Sequence, residues 1–167
     1  MLHLHALRSR IGIIPQEPFI FSGSIRENID PLEQYLDEEV WQALEACGVG
    51  GLVLGRGGLA APADTLSRGH MQLLCLTRAL LQRAKILLVD EATANLDQDT
   101  ERTILDTIRC SFVGSTVVFV AHRLAGVLEC SRVLVLAAGT LAELRDPDDA
   151  LSDPTSHLYK LVHPDGH

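Results

Sequence analysis

A continuous apolar segment that ends in two acidic residues is the feature that most constrains the fold. Residues 86–89 read Ile-Leu-Leu-Val, and Asp90 and Glu91 follow directly. A run that is apolar at every position is what a strand buried on both faces of a parallel sheet requires. Open α/β sheets bind ligands at the carboxyl ends of such strands. The segment therefore predicts a buried parallel strand with two carboxylates at a ligand-binding edge, although alone the pair could merely end a strand.

Helices and strands are predicted to alternate around that segment, which indicates an α/β layered fold. Further buried strands are predicted at Arg10–Pro15 and Thr116–Ala121, and a hairpin at Ser131–Leu136 with Thr140–Leu144. The glycine-rich stretch Gly48–Pro62 is predicted to be a flexible connection. Gln16–Pro31 is predicted to be a loop with one helical turn near Ser24–Ile29. Helices are predicted after an N-cap at Asp37, from about His70 to Gln82, after an N-cap at Asp97, and once or twice between Pro147 and Val162.

Composition limits the classes of partner. The 167 residues are 47% hydrophobic, so the chain is expected to fold as one domain or as part of a larger one. The net charge of −8 argues against a nucleic-acid partner, because phosphate backbones need a surplus of Lys and Arg. No apolar run reaches the length of a membrane span, so membrane association is expected only through partner segments.

Several motifs extend the acidic pair in a specific order. Asp90–Asp97 reads DEATANLD, and His122 follows after one predicted helix and one strand; upstream lie Leu66–His70 (LSRGH) and Ile14–Pro18 (IPQEP). This order, over nearly the whole chain, resembles the ATPase domain of ABC proteins. The stretch Pro15–Pro31 is similar to C-subfamily (multidrug-resistance-protein-like) exporters in particular. The resemblance implies the C-terminal part of a second nucleotide-binding domain with a P-loop NTPase-like α/β fold.

The resemblance also implies a domain layout and a catalytic set. Residues 1–167 would be a partial ABC ATPase domain, with a helical subdomain and signature region at about 30–82, core strands at 83–145 and a tail at 146–167. ATP and Mg²⁺ are the implied ligands. Gln16 would contact the metal and the attacking water, Asp90 would assist the metal, and Glu91 would be the catalytic base. His122 would contact the γ-phosphate, although a histidine in isolation would be read as an ordinary surface residue.

Three other positions are implied to act across a pair of ATPase domains. Ser67 and Gly69 would be the signature residues that contact the γ-phosphate bound by the opposite domain, and Asp97 would belong to the loop that crosses the dimer interface. Physical chemistry supports the first two, because free N–H groups and the dipole at a helix start favour an anion. Ser67 could equally serve only as the helix cap.

The sequence departs from the family pattern in two ways. The 167 residues contain no GxxxxGK[ST] phosphate loop, which in nucleotide-binding proteins cradles the phosphates. The strands and helix that flank that loop are also expected to be missing, which would leave the sheet incomplete and apolar surface uncovered. Arg68 and His70 replace the usual small or apolar residue and glutamine of the signature, so weakened phosphate recognition is expected.

Three functional hypotheses follow. The first is the ATPase portion of an exporter of organic anions, conjugates or drugs, on the cytoplasmic face of a membrane, with a second ABC ATPase domain and transmembrane helices as partners. The second is a truncated, inactive chain, cytoplasmic if expressed alone, that at most pairs with another ATPase domain. The third, a soluble ABC ATPase of translation or DNA repair, is disfavoured by the Gln16–Pro31 stretch and the acidic charge. By itself the chain is expected to be inactive.

Overall fold

The computed structural model describes residues 8–93, 96–120 and 129–163, and the chain divides into two compact units, Met1–Val120 and Ala121–His167. The three-part layout with boundaries near residues 82 and 145 stays a prediction. The first unit contains β1 (Ile11–Ile14), α1 (Ile25–Ile29), α2 (Asp37–Ala46), α3 (Gly50–Gly55), a 3₁₀ turn (Gly58–Ala60), α4 (Arg68–Leu81), β2 (Ile86–Asp90), α5 (Gln98–Ser111) and β3 (Thr116–Val120). The second contains β4 (Val133–Ala137), β5 (Thr140–Arg145), α6 (Pro147–Leu151) and α7 (His157–Val162).

The first unit is built on a parallel sheet with strand order β1-β2-β3. Ile13 lies opposite Leu88, and Leu88 lies opposite Val118, so the carboxyl ends of all three strands meet at one edge. Helices connect consecutive strands, as parallel strands require. The predicted α/β fold with a parallel sheet is confirmed.

One face of this sheet is closely packed. Leu87 and Ile14 are fully buried, and Val89 is 3% exposed. Gly12 lies on the same face, where a Cβ atom would come within 2.9 Å of the Ala79 Cβ of α4. That separation is shorter than atoms tolerate, so the absence of a side chain at Gly12 permits the close approach of helix and strand.

The opposite face is open among the described residues, as the expected uncovered apolar surface predicts. The prediction that residues 86–89 are buried on both sides is wrong, because Ile86 is 36% exposed and Leu88 is half-buried. The exposed fractions are 58% for Ile13, 44% for Val118 and 52% for Val120. The strands predicted at Arg10–Pro15 and Thr116–Ala121 exist but are only half buried. An apolar run shows that a strand can be buried on both faces, whereas burial itself depends on what packs against each face.

Two predictions about helices are wrong. Gly48–Pro62 is not a flexible connection, because α3 and the 3₁₀ turn fill most of it and bury Val49 and Val53. Asp37 is the first residue of α2 rather than its N-cap; Leu36 is the cap, and its N–H donates to a Glu39 carboxylate oxygen at 3.1 Å. The helix predicted from about His70 to Gln82 is confirmed as α4 to within two residues at each end. The other predicted helices are present as α1, α5, α6 and α7.

The described part of the second unit, residues 129–163, contains a hairpin followed by two short helices, as predicted. Ala138 and Gly139 form the turn, and both have positive φ (48° and 77°), which matches the twist of the two strands. Glu143 of β5 is buried and accepts the N–H groups of His157 and Leu158 at 2.7 and 3.1 Å. These bonds satisfy free N–H groups at the start of α7.

Candidate functional site

The predicted base and one predicted metal-binding residue meet at the carboxyl edge of the sheet. Gln16 follows β1, and Glu91 follows β2. The Gln16 Nε2 atom donates a hydrogen bond to Glu91 Oε2 at 3.1 Å, although the two residues are 75 positions apart. The parallel register produces this contact, because neighbouring strands end at the same level.

The backbone at Glu91 is unusual and is tied to the third strand. Glu91 has a φ of 46°, in the left-handed region that non-glycine residues rarely adopt. Its N–H donates to the carbonyl oxygen of Val120 at 3.0 Å, which extends the β2–β3 ladder by one bond. Asp90, the last residue of β2, is exposed. The acidic pair therefore lies at the edge that the sequence predicted.

The backbone of Gln16 is held by α4. Gln72, which is 1% exposed, donates through Nε2 to the carbonyl oxygens of Pro15 at 2.9 Å and of Gln16 at 3.0 Å. Arg68 donates through Nη2 to the same Gln16 oxygen at 3.1 Å. Sequence reasoning missed both contacts. The available signal was Gln72, a polar residue directly beside the apolar stripe of α4.

Ser67 is the N-cap of α4, and its hydroxyl is already engaged. The His70 N–H donates to Ser67 Oγ at 3.4 Å, and the same oxygen lies 2.8 Å from His70 Nδ1. Ser67 therefore caps α4, as one of its two predicted roles requires. The bond to Nδ1 involves His70, one of the two residues in which this signature differs from the family pattern.

Gly69 and Asp97 converge on one residue, Thr100, at the start of α5. A Cβ atom on Gly69 would lie 2.8 Å from the Thr100 methyl group, so α4 and α5 approach closely here. Asp97 caps α5 by accepting the Thr100 N–H at 2.9 Å and its hydroxyl at 2.7 Å. These two bonds, the backbone one first, hold the pKa of Asp97 below its ordinary value. Gly69 thus allows the two helices to pack closely, and Asp97 caps α5; neither role requires a ligand.

Two parts of the predicted site cannot be placed. His122 lies outside the described residues, as do Ala94 and Asn95 of the DEATANLD motif. Across residues 8–93, 96–120 and 129–163, no group of three or more His, Cys, Asp or Glu side chains could hold a metal ion. The carboxylate of Asp90 and the amide oxygen of Gln16 still fit Mg²⁺, which prefers oxygen ligands and retains water and phosphate in its shell.

A family model described as ABC transporter matches residues 2–94, more than half of the 167. The chain belongs to the ABC transporter family. The matched residues include β1, α4 and β2, together with Gln16 and Glu91, which follow the two strands. In the part of this ABC transporter chain that the structure describes, no helix is both long and apolar enough to cross a membrane.

Curated relatives of this ABC transporter chain include members of the C family from animals and plants. It is 47% identical over 165 residues to mouse "ATP-binding cassette sub-family C member 10". It is 46% identical over 164 residues to "ABC transporter C family member 5" of Arabidopsis thaliana. These alignments cover 96% and 95% of the chain but only 11% of either relative. The chain thus spans about a tenth of the length of the relatives it matches.

A solved structure resembles the whole chain closely. It is titled as a bacterial Atm1-family ABC exporter with ATP bound, and it matches with a TM-score of 0.86 at 30% identity. The match covers 96% of this ABC transporter chain and 29% of the solved one. The α/β fold with its parallel sheet is therefore a nucleotide-binding-domain fold of ABC exporters.

Proposed function

We propose that this chain is the ATP-binding and ATP-hydrolysing portion of an ABC exporter that moves organic anions, conjugates or drugs across a membrane. The observation that carries the proposal is the hydrogen bond from Gln16 to Glu91, at the carboxyl ends of adjacent parallel strands. The C-family relatives support the exporter class. We further propose that the chain works on the cytoplasmic face of that membrane, through transmembrane partner segments.

Glu91 is the general base in this proposal. Its carboxylate takes a proton from a water molecule as the water oxygen bonds to the γ-phosphorus of ATP; the bond from that phosphorus to the bridging oxygen breaks, which gives ADP and phosphate. The Gln16 amide orients the carboxylate by donating to Oε2 at 3.1 Å. Asp90 and Gln16 would hold Mg²⁺, which neutralises phosphate charge when bound. His122 is assigned to the γ-phosphate by the family resemblance alone.

Ser67, Gly69 and Asp97 belong, in this proposal, to the surface that meets a second ABC ATPase domain. Gly69 is buried against Thr100, which also donates to Asp97, so the starts of α4 and α5 lie side by side. Ser67 would contact the γ-phosphate bound by the opposite domain. Its oxygen lies 2.8 Å from His70 Nδ1, so any phosphate must compete with His70 for the hydroxyl.

The first test is to read the transcript in frame upstream of the codon for Met1. The proposal requires that it encodes a strand followed by GxxxxGK[ST]. In the encoded protein, Glu91→Gln is then expected to abolish ATP hydrolysis and to retain ATP binding, whereas Glu38→Gln, an exposed carboxylate of α2, leaves both unchanged. A stop codon before any such loop, or full hydrolysis by Glu91→Gln, contradicts the proposal.

The second candidate is a chain that pairs with another ABC ATPase domain without hydrolysing ATP. The departures of Arg68 and His70 from the signature pattern favour it, because the Ser67 hydroxyl lies 2.8 Å from His70 Nδ1 rather than free for a phosphate. Binding of the purified chain to an ABC ATPase domain, with no release of phosphate from ATP attributable to the chain, supports this candidate. Phosphate release that is lost in Glu91→Gln contradicts it.

A further inference from the structure

Side chains of α4 hold the segment around Gln16 by its carbonyl groups. Arg68 and Gln72, about one helical turn apart, both donate to the Gln16 carbonyl oxygen. Farther along α4, Arg78 donates to the carbonyl oxygen of Phe19 through Nη1 at 2.7 Å. The segment that carries Gln16 is therefore fixed by α4.

The Gln16 carbonyl oxygen is fully used. It accepts from Arg68 Nη2 at 3.1 Å and from Gln72 Nε2 at 3.0 Å, which occupies both lone pairs of a carbonyl oxygen. The peptide plane after Gln16 is thereby held on two sides. The same residue presents its side-chain amide to Glu91 at 3.1 Å, so the direction of the amide depends on how this peptide is held.

Arg68 and Gln72 differ in what they connect. Gln72 is buried within α4 and also binds the Pro15 carbonyl, so it secures the end of β1. Arg68 is exposed and is the first residue of α4, directly after Ser67. Its side chain links the turn that carries Ser67 and Gly69 to the backbone of Gln16.

We propose that Arg68 is a positioning residue. Its guanidinium holds the Gln16 carbonyl, so that the Gln16 side-chain amide keeps its hydrogen bond to the Glu91 carboxylate. This inference rests on the proposed function, in which Glu91 is the base. In this inference the Arg68 guanidinium binds a backbone carbonyl of its own chain and does not serve as a phosphate-binding charge. A charged donor forms a stronger hydrogen bond to a carbonyl than a neutral one, which suits this role.

The test uses the 167-residue chain labelled with ¹⁵N at its six glutamines. The resonance of the Gln16 side-chain amide is identified by its loss in Gln16→Ala, and its position without the bond to Glu91 is recorded in Glu91→Ala. Arg68→Met is expected to move the Gln16 amide resonance most of the way to its position in Glu91→Ala. Arg68→Lys keeps a donor, so its resonance is expected to lie between those of Arg68→Met and the parent chain. The matched control is Arg102→Met on α5.

An unmoved Gln16 amide resonance in Arg68→Met overturns the inference, and so does an equal shift in Arg102→Met. If Arg68→Met does not fold, Arg68→Ala replaces it, because alanine has no donor and a high helix propensity. An Arg68→Lys spectrum identical to that of the methionine variant also overturns the inference, because a held carbonyl requires a donor.

A second measurement separates this inference from the proposed function. In the protein encoded by the full reading frame, Arg68→Met is expected to lower kcat for ATP hydrolysis by about 3- to 10-fold, the loss of one hydrogen bond in the transition state, with KM for ATP unchanged. Full hydrolysis by Glu91→Gln overturns the proposed function. Loss of hydrolysis in Glu91→Gln, together with unchanged kcat and an unmoved Gln16 amide in Arg68→Met, overturns only the role of Arg68.

Discussion

Arg83 and Glu91 both have backbone conformations that usually belong to glycine. Arg83 has a φ of 49° and ends α4: its N–H donates to the Leu80 carbonyl at 2.9 Å, and the Ala84 N–H donates to the Ala79 carbonyl at 3.3 Å. This pair of bonds is a Schellman motif, a helix C-terminal cap in which glycine usually occupies the position of Arg83. Glu91 has a φ of 46° at the proposed base. Strain of this kind at Glu91 fits a functional residue, whereas at Arg83 it serves only to end a helix.

Arg83→Gly is expected to raise the free energy of unfolding by about 0.5–1 kcal/mol, because it removes the left-handed strain of an L-residue while it adds freedom to the unfolded chain. Urea unfolding followed by circular dichroism measures the change. Arg83→Ala is the control, since it removes the same side chain and retains the strain. Equal stabilities of the two variants would contradict the interpretation.

At the scale of elements, the connection between α1 and α2 is organised by one buried carboxylate. Asp30 accepts the N–H groups of Gln34 and Tyr35 at 3.0 and 2.9 Å, and Arg26 Nη1 at 3.0 Å. Arg26 also donates to Asp37 at 2.9 Å, so one guanidinium links α1, the connection and the start of α2. Burial raises the pKa of Asp30, but the N–H groups and the guanidinium outweigh it and hold the pKa below its ordinary value of 3.8.

The depressed pKa of Asp30 makes part of the stability depend on pH. Because the folded pKa lies below the unfolded one, the contribution is present above about pH 4 and is lost as the pH falls further. Asp30→Asn is expected to lower the free energy of unfolding at neutral pH by about 1–3 kcal/mol and to flatten its fall between about pH 5 and pH 3. Urea unfolding across that range measures both effects.

Asp37→Asn is the matched control for Asp30→Asn. The Asp37 side chain binds the same arginine but is 70% exposed. An exposed ion pair contributes less than about 1 kcal/mol, so this variant should resemble the parent protein at every pH. A pH dependence as steep in Asp30→Asn as in the parent would show that other carboxylates produce it.

At the scale of the whole molecule, the cysteines report on the core of the first unit. Cys47 and Cys75 are 0% and 4% exposed, whereas Cys110 is exposed. Burial raises the pKa of Cys47 to about 11, with a smaller opposing effect from Thr77, and burial also raises the pKa of Cys75. Since the thiolate is the reactive form, both buried thiols should be protected by low access and by low ionisation.

Iodoacetamide is therefore expected to label Cys110 in the folded chain and to reach Cys47 and Cys75 only when the first unit opens. Mass spectrometry of proteolytic fragments, taken at a series of urea concentrations, gives the rate at each site. A Cys110→Ser variant is the control that removes the reaction at that site, and the partly exposed Cys130 remains as an internal comparison. Labelling of Cys47 as fast as that of Cys110 without urea would contradict the buried core described for this unit.

Much of the candidate site was predictable, because its residues follow recognisable local patterns. Gln16 follows a predicted strand, and Asp90 and Glu91 follow another; parallel strands bring such ends together. The links from Arg68 and Gln72 to Gln16 were not predictable. They join residues 52 and 56 positions apart and depend on how α4 packs against β1, which no local pattern encodes.

The sequence by itself determined most of the strands and helices, their alternation, and the family, because periodicity, caps and motif order are local features of neighbouring residues. Tertiary structure alone decided that Gly48–Pro62 is largely helical, since buried Val49 and Val53 outweigh its glycines. It also decided which face of the sheet is covered. Residues 86–89 are apolar on both sides, but burial depends on the elements that pack against them, and these lie far away in the sequence.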